Sequence, residues 1–182
     1  MIKRLFPFLL VMIILPLEAL ESHNLLLRAQ ADVYPKILMM DKMLGQKLVD
    51  GAARFLIVFD AEESRARAIK EMVDLAAFQK NSGLVMSVDV IPISEFDQDT
   101  AASAVFVVDG KTEQLLHIGR IAKERGIVSF SYAPHALHSG LLFSLAIERE
   151  TKIYVNFSAI SAGNIGVVES LGAAAAPYLK VQ

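Results

Sequence analysis

The sequence predicts an α/β domain built on a mixed, mostly parallel sheet. Short and almost continuous apolar runs, such as residues 54–59 and 104–108, are typical of strands that are buried on both faces. Segments with the 3.6-residue period of helices alternate with these runs, which indicates parallel strands joined by right-handed crossovers. Near the C-terminus, two apolar runs joined by a short polar turn predict a β-hairpin followed by a helix.

The opening segment, residues 23–48, is predicted to be helical. Its apolar residues recur every three or four positions and so share one face, namely Leu26, Ala29, Val33, Ile37, Met40 and Leu44. Pro35 removes one backbone donor, which predicts either a kink near residues 31–34 or two shorter packed helices. Gly45 or Gly51 can close the helical region.

The first half of the sheet follows this segment. Residues 54–59 are predicted to form a central strand, and the acidic residues of 60–64 suit the start of a helix that reaches about Gln79. Residues 81–83 end that helix. A second strand over residues 84–93 is then closed by Pro92 and the polar turn of residues 94–99.

The second half of the sheet repeats the alternation of strand and helix, and the pattern then changes to two consecutive strands. Residues 104–108 form a strand, 112–125 a helix ended by Gly126, and 127–132 a further strand. Residues 141–148 and 152–157 form the predicted hairpin around the turn 149–151. The last helix is expected over residues 159–175, where alanine and glycine suit close packing, with Pro177 as its boundary.

The N-terminus has the layout of a secretory signal peptide. A basic start, residues 1–4, precedes the uncharged apolar stretch 5–17, which is too short to span a bilayer. We expect cleavage after Ala19, leaving residues 20–182 as one domain outside the cytoplasm. Because Leu17 is larger than the residue usually found there, an uncleaved N-terminal anchor remains the alternative. The chain has no cysteine, so it is not a bacterial lipoprotein.

Composition narrows the classes of function. The 18 basic and 20 acidic residues give a net charge of −2. The chain therefore lacks the excess of basic residues that would indicate a nucleic-acid or anionic-membrane partner. The absence of cysteine removes disulfides, thiolate metal ligands and cysteine nucleophiles together.

Two motifs approach known chemistry without reaching it. Asp109-Gly110-Lys111-Thr112 is like the end of a phosphate-binding loop, but Val105 stands where that loop needs glycine. We therefore interpret Asp109 and Thr112 as caps of the following helix. His135 and His138 lack the third ligand that zinc needs, and no Gly-x-Ser-x-Gly elbow occurs. The sequence thus predicts no enzyme activity, no cofactor and no metal.

The carboxyl ends of the predicted strands are the place where ligands bind in open parallel sheets. We interpret the acidic residues after the first strand as helix caps, because they would repel an anion. The candidate ligand-binding residues at this edge are Ser64, Lys111, Tyr132 and His135.

The opening helix also carries methionines that could form an exposed apolar face. Methionine adapts to irregular surfaces and is frequent at binding sites, so Met39, Met40 and Met43 are candidate partner-binding residues. Residues this close in sequence point to different sides of a helix, so the alternative is that they pack onto the sheet.

Several strings, in this order, resemble the YfiR-like family of periplasmic regulatory proteins. They are residues 27–29, 34–38, 55–60, 104–107, 127–131 and 153–156, together with Gly140 and the pair Ala162-Gly163. The resemblance covers residues 25–180. It implies a Rossmann-like, three-layer domain in the periplasm that binds protein without catalysis, holds an inner-membrane diguanylate cyclase inactive, and allows for a homodimer. Some members have redox-responsive disulfides, which a chain without cysteine cannot form.

The leading hypothesis is therefore a periplasmic regulator that restrains an inner-membrane signalling protein. A single-lobed solute-binding protein using the strand-end residues is one alternative. A structural component of an envelope machine, bound to other envelope proteins, is another.

Overall fold

The structure, a computed structural model, describes residues 24–75, 85–175 and 179–181, with side chains up to residue 172. The helices are α1 (24–39), α2 (Glu63–Leu75), α3 (Thr112–Arg125) and α4 (Ile165–Ala175). The strands are β1 (Ala53–Phe59), β2 (Met86–Pro92), β3 (Ala104–Val107), β4 (Val128–Ser131), β5 (Phe143–Ile147), β6 (Thr151–Val155) and β7 (Leu179–Val181). Within these ranges, no helix has the length and apolar character needed to cross a bilayer.

The strands form one sheet in the order β2-β1-β3-β4-β5-β6-β7. β1 to β5 run parallel, β6 pairs antiparallel with β5 as the hairpin, and β7 runs parallel to β6. The mixed, mostly parallel α/β architecture is thereby confirmed. The order of the first five strands is that of doubly wound sheets, whose direction of winding reverses between β1 and β3.

Helices cover both faces of the sheet, which makes three layers. Alternate side chains of β1 enter different cores, because successive strand residues point to opposite faces. Phe55 and Ile57 pack with residues of α1, α2 and α4. Leu56 and Val58 pack with α3 and with the short 3₁₀ helix Pro134–Ser139.

A row of aromatic rings fills the core beneath α1. The register aligns Phe106, Phe130 and Phe143 across β3, β4 and β5. The Tyr34 ring stacks on Phe130 with centroids 4.5 Å apart and meets Phe106 edge-on at 4.9 Å. Such aromatic pairs each add about 0.5–1.5 kcal/mol beyond the area they bury. This row holds α1 on the sheet.

α1 differs from its prediction in two ways. It continues without a break through Pro35, so the alternative of two helices is wrong. It also ends at residue 39, well short of residue 48. The core contacts of Tyr34, Ile37 and Leu38 outweigh the single donor lost at Pro35.

The end of α1 is set by a buried carboxylate. Asp41 accepts a hydrogen bond from the Met43 amide at 3.0 Å and pairs with Lys47 Nζ at 2.5 Å. This arrangement turns the chain into the 3₁₀ helix Leu44–Gln46 and on toward β1.

Near the C-terminus, helix α4 starts six residues later than predicted. Asn156 Oδ1 accepts from the Ser158 amide, and Asn164 Oδ1 accepts from the Ser161 amide. These side-chain turns compete with a helix, and residues Phe157–Ala159 form only a 3₁₀ turn. β7 was not predicted, and neither Pro177 nor the predicted end of α2 at Gln79 lies within the described residues. The predicted signal segment 1–19 lies outside them too.

Candidate functional site

The reversal point of the sheet, between β1 and β3, is occupied by the side chain of Asp109. Its carboxylate accepts backbone N–H bonds from Asp60 at 2.9 Å, Ala61 at 2.8 Å and Glu62 at 3.4 Å. These amides immediately precede α2, where the helix dipole favours a negative charge. The prediction that Asp109 and Thr112 cap α3 is therefore wrong. The fold brings Asp109 beside the start of a different helix, and Thr112 is the first residue of α3, with Lys111 as its N-cap.

Gln114 joins the same two loops a second time. Its Oε1 accepts from the Lys111 amide at 2.7 Å, and its Nε2 donates to Asp60 Oδ1 at 3.0 Å. Lys111 is the N-cap residue of α3, and its side chain is exposed. The loops after β1 and β3 are thus held together by four side-chain hydrogen bonds of Asp109 and Gln114.

Two of the four candidate ligand-binding residues lie together. Tyr132 and His135 line a cleft of about 270 Å³ next to Gly110, beyond the ends of β3 and β4. Ser64 and Lys111 are exposed and lie outside this cleft. The Arg65 guanidinium lies 4.9 Å from the centroid of the Tyr132 ring, within cation–π range. Partial burial raises the pKa of the Tyr132 hydroxyl above its usual range.

The histidines do not converge. His135 lines the cleft with Tyr132, whereas His138 lines another cleft of about 200 Å³ with Asn156. His117 lies on α3, where its Nδ1 is 3.3 Å from Arg120 Nη2. Among the residues that the structure describes, no three histidine or acidic side chains are grouped as metal ligands.

The three candidate methionines lie in different surroundings. Met39 packs against the core beneath α1. Met40 and Met43 are partly exposed, and Met43 lies beside the start of α4, with its Cγ 3.5 Å from the position that a Cβ atom on Gly166 would occupy. Met39 is thus the one of the three that packs on the core, whereas Met40 and Met43 are both partly exposed.

Sequence reasoning missed a buried polar group on α1. Gln30 Nε2 donates to the carbonyls of Tyr132 at 2.7 Å and Leu145 at 3.1 Å. The Tyr34 hydroxyl donates to the Ser131 carbonyl at 2.9 Å and accepts from the Leu145 amide at 2.8 Å. A glutamine on the apolar face of α1, one helical turn from Leu27 and Tyr34, is the signal that could have predicted this network.

This network is needed because β4 and β5 pair at only two positions. Past those positions no further pair of β4 and β5 forms, and the Leu145 amide and carbonyl take side-chain partners instead. Gln30 and Tyr34 provide those partners, so α1 completes the hydrogen bonding of the sheet edge next to the cleft.

Comparison with known proteins identifies no family, since no family model and no curated protein matches. Among solved structures, a conserved domain protein from Vibrio cholerae is similar, with a TM-score of 0.47, 10% identity, and coverage of 78% of this chain and 60% of the other. An ABC domain in complex with L-Trp from Streptococcus pneumonia has a TM-score of 0.46, 11% identity, and coverage of 79% and 61%. The chain thus spans about three fifths of the length of these structures, and likenesses at this level carry no argument about function.

Proposed function

We propose that this protein is an exported regulator that acts by binding another protein, without catalysis. It restrains an inner-membrane signalling protein such as a diguanylate cyclase. The observation that carries this proposal is the occupation of the reversal point by Asp109.

In doubly wound sheets, ligands bind at the reversal point because helix N-termini offer free backbone donors there. Here the three amides ahead of α2 already donate to a carboxylate of the chain itself. An anionic substrate or nucleotide would have to displace charge-assisted hydrogen bonds to reach them. This arrangement favours a protein that works through its outer surfaces.

Separate features of the sequence support the proposed export and the proposed restraint of the partner. The N-terminal sequence supports secretion, and the resemblance to the YfiR-like family supports the periplasm, an inner-membrane partner and restraint as the mode of action. Together with the occupied reversal point, these features make a protein partner the simplest hypothesis.

The test is crosslinking in intact cells, followed by affinity capture of the full chain and mass spectrometry. We expect one inner-membrane protein with a cyclase or kinase output domain, and a rise in cyclic-di-GMP when the chain is deleted. Met40→Glu should lose the partner, because a charge enters an apolar contact. Leu75→Glu, on an 82% exposed side chain of α2, is the matched control and should retain it.

Both variants should melt within a few degrees of the wild type, so that loss of capture reports on contact and not on folding. Met39 is left unchanged because it packs on the core. Recovery of many envelope-machine subunits in fixed stoichiometry would support the structural role instead and contradict the proposal.

The cleft lined by Tyr132 and His135 favours one second candidate, a solute-binding protein. Its volume of about 270 Å³ suits only a small ligand, and the phenol, the imidazole and the nearby Arg65 offer polar contacts. A thermal-shift screen of free amino acids and small carboxylates tests it. A ligand present at 100 times its Kd should stabilise the chain by about 2.7 kcal/mol, and His135→Ala should abolish the shift.

A further inference from the structure

Strand β2 forms one outer edge of the sheet, and its backbone groups point alternately toward β1 and away from it. The Ala53 amide donates to the Val85 carbonyl, and Ala53 is aligned with Met86. In a parallel pair this pattern directs the backbone groups of Met86, Val88 and Val90 away from β1. An edge of this kind can pair with a strand of another molecule.

One of these outward groups already has a partner from helix α2. The Lys70 ammonium donates to the Val88 carbonyl at 2.8 Å and to Asp74 Oδ2 at 2.8 Å. The ammonium is thus held from two sides on the outer side of β2, where the amide of an added strand would have to donate. Within the described ranges, the outward backbone groups of Met86 and Val90 have no hydrogen-bond partner.

The edge of β2 is self-complementary in an antiparallel register centred on Val88. When Val88 lies opposite Val88 of a second copy, Met86 lies opposite Val90, and all the aligned residues face each other through their outward groups. Each such pair can exchange two backbone hydrogen bonds. Pro92, which has no N–H, ends the strand and lies beyond the aligned pairs.

The charge on the other face of β2 favours this register over its neighbours. Asp89 lies opposite Ser87 of the second copy, and a hydroxyl can donate to a carboxylate. A shift toward the C-terminus would place Asp89 opposite Asp89 and Pro92 opposite Met86, which brings like charges together and loses a hydrogen bond. A shift the other way aligns only Met86 with Val88 among the outward groups of the described residues.

Lys70 opposes the pairing centred on Val88. Because Val88 lies on the two-fold axis of this register, the Lys70 ammonium of each copy would occupy the place of the other copy's Val88 amide. The two ammonium groups would also meet close to the axis, where like charges repel each other. Lysine is one of the side chains that commonly protect sheet edges from such pairing.

We infer that the outer edge of β2 is an interaction surface for a second copy of this chain, in the register centred on Val88, and that Lys70 prevents the two copies from pairing. The Asp74 carboxylate holds the ammonium in position for this role. This inference goes beyond the proposed function and does not depend on it.

The test is sedimentation velocity of the full chain over a series of concentrations. Lys70→Met keeps the length of the side chain but removes its charge and its donor, so this variant should self-associate at least about tenfold more tightly than the wild type. Lys36→Met is the matched control, because it removes the same charge from an exposed helix pair on α1, away from β2. It should self-associate no more than the wild type.

Two further variants in the Lys70→Met chain test the register. Ser87→Lys should tighten the association, because the new lysine faces Asp89 of the second copy, and Ser87→Asp should weaken it, because like charges then face each other. Hydrogen exchange of the Met86, Val88 and Val90 amides should slow as the concentration of the Lys70→Met chain rises, because these amides become donors between the copies.

Four outcomes would overturn the inference. A Lys70→Met chain that self-associates no more than the wild type would show that the edge does not fit a second copy. A wild-type chain that associates as tightly as Lys70→Met would show that Lys70 does not prevent pairing. An equal gain in Lys36→Met would show that losing any positive charge is enough, and equal effects of the two Ser87 variants would place the contact elsewhere.

Discussion

Single polar side chains in this protein form hydrogen bonds with backbone groups that the sheet leaves without partners. The Tyr34 hydroxyl donates to the Ser131 carbonyl of β4 and accepts from the Leu145 amide of β5. Burial raises the pKa of this hydroxyl far above its ordinary value of 10, with smaller opposing effects from the groups that donate to it. Both facts lead to measurable consequences.

Tyr34→Phe should destabilise the fold by about 1–3 kcal/mol. The ring and its stacking on Phe130 remain, but the Leu145 amide loses its partner in the interior, while the Ser131 carbonyl keeps the Ser144 hydroxyl. Denaturant unfolding measures the loss. Lys36→Gln breaks an exposed pair with Asp32 on the same helix and should cost less than about 1 kcal/mol; a similar cost for the two variants would show that the hydroxyl is not needed.

The free energy of unfolding should also decrease steeply at alkaline pH. Above pH 10 an unfolded tyrosine loses its proton, whereas folded Tyr34 keeps its proton because its pKa is raised. The native state then holds more protons than the unfolded state, so stability decreases as pH rises, by about 1.4 kcal/mol per pH unit for one such group. The free energy of unfolding, measured between pH 9 and 11, should fall less steeply with pH in Tyr34→Phe than in the wild type. Equal slopes would contradict the raised pKa.

At the scale of elements, α3 packs through its backbone against the 3₁₀ helix Pro134–Ser139. A Cβ atom on Gly119 would lie 2.3 Å from the Ser139 carbonyl oxygen and 2.9 Å from the Gly140 carbonyl carbon. Both neighbours are backbone atoms, so neither can move aside cheaply. This contact sets the distance between α3 and the segment that carries His135 and His138.

Gly119→Ala should therefore destabilise the protein, although alanine normally stabilises a helix interior by up to about 1 kcal/mol relative to glycine. Gly172→Ala is the matched control in α4, where a Cβ atom would meet no heavy atom within 4 Å, and it should be neutral or stabilising. Thermal unfolding of the two variants should give shifts of opposite sign. A stabilised Gly119→Ala would mean that α3 and the 3₁₀ helix separate easily.

At the scale of the whole molecule, the Asp109 carboxylate occupies the reversal point of the sheet. Asp109 comes from the loop after β3, and the amides it accepts from come from the loop after β1. The closure therefore depends on the sheet order, which makes β1 and β3 neighbours. The contact also ties the start of α2 to the start of α3.

Asp109→Ala should free the backbone amides at the reversal point of the sheet. The amides ahead of α2 lose their acceptor, so their hydrogen exchange should accelerate and stability should fall by about 1–2 kcal/mol. Inorganic phosphate should then raise the melting temperature of the variant more than that of the wild type. Asp99→Ala, which removes an equal charge elsewhere, is the control. An equal effect of phosphate on all three proteins would indicate that Asp109 does not close an anion site.

Local signals were enough for much of the fold. Helix α3 runs over residues 112–125 as predicted, because an acidic first turn and Gly126 in the left-handed conformation mark its two ends. The strands and the hairpin follow from apolar runs and the turn between them. β7 escaped prediction because three residues are too few to show a period.

The sequence by itself determined the α/β class, the hairpin and the strand edge that carries Tyr132 and His135, because periodicity and chain direction are local properties. Only the tertiary structure decided that Asp109 binds the amides ahead of α2, that α1 continues through Pro35, and that Lys70 reaches the outer edge of β2. Those outcomes depend on contacts between residues far apart in the chain, and a one-dimensional pattern does not record which distant groups become neighbours.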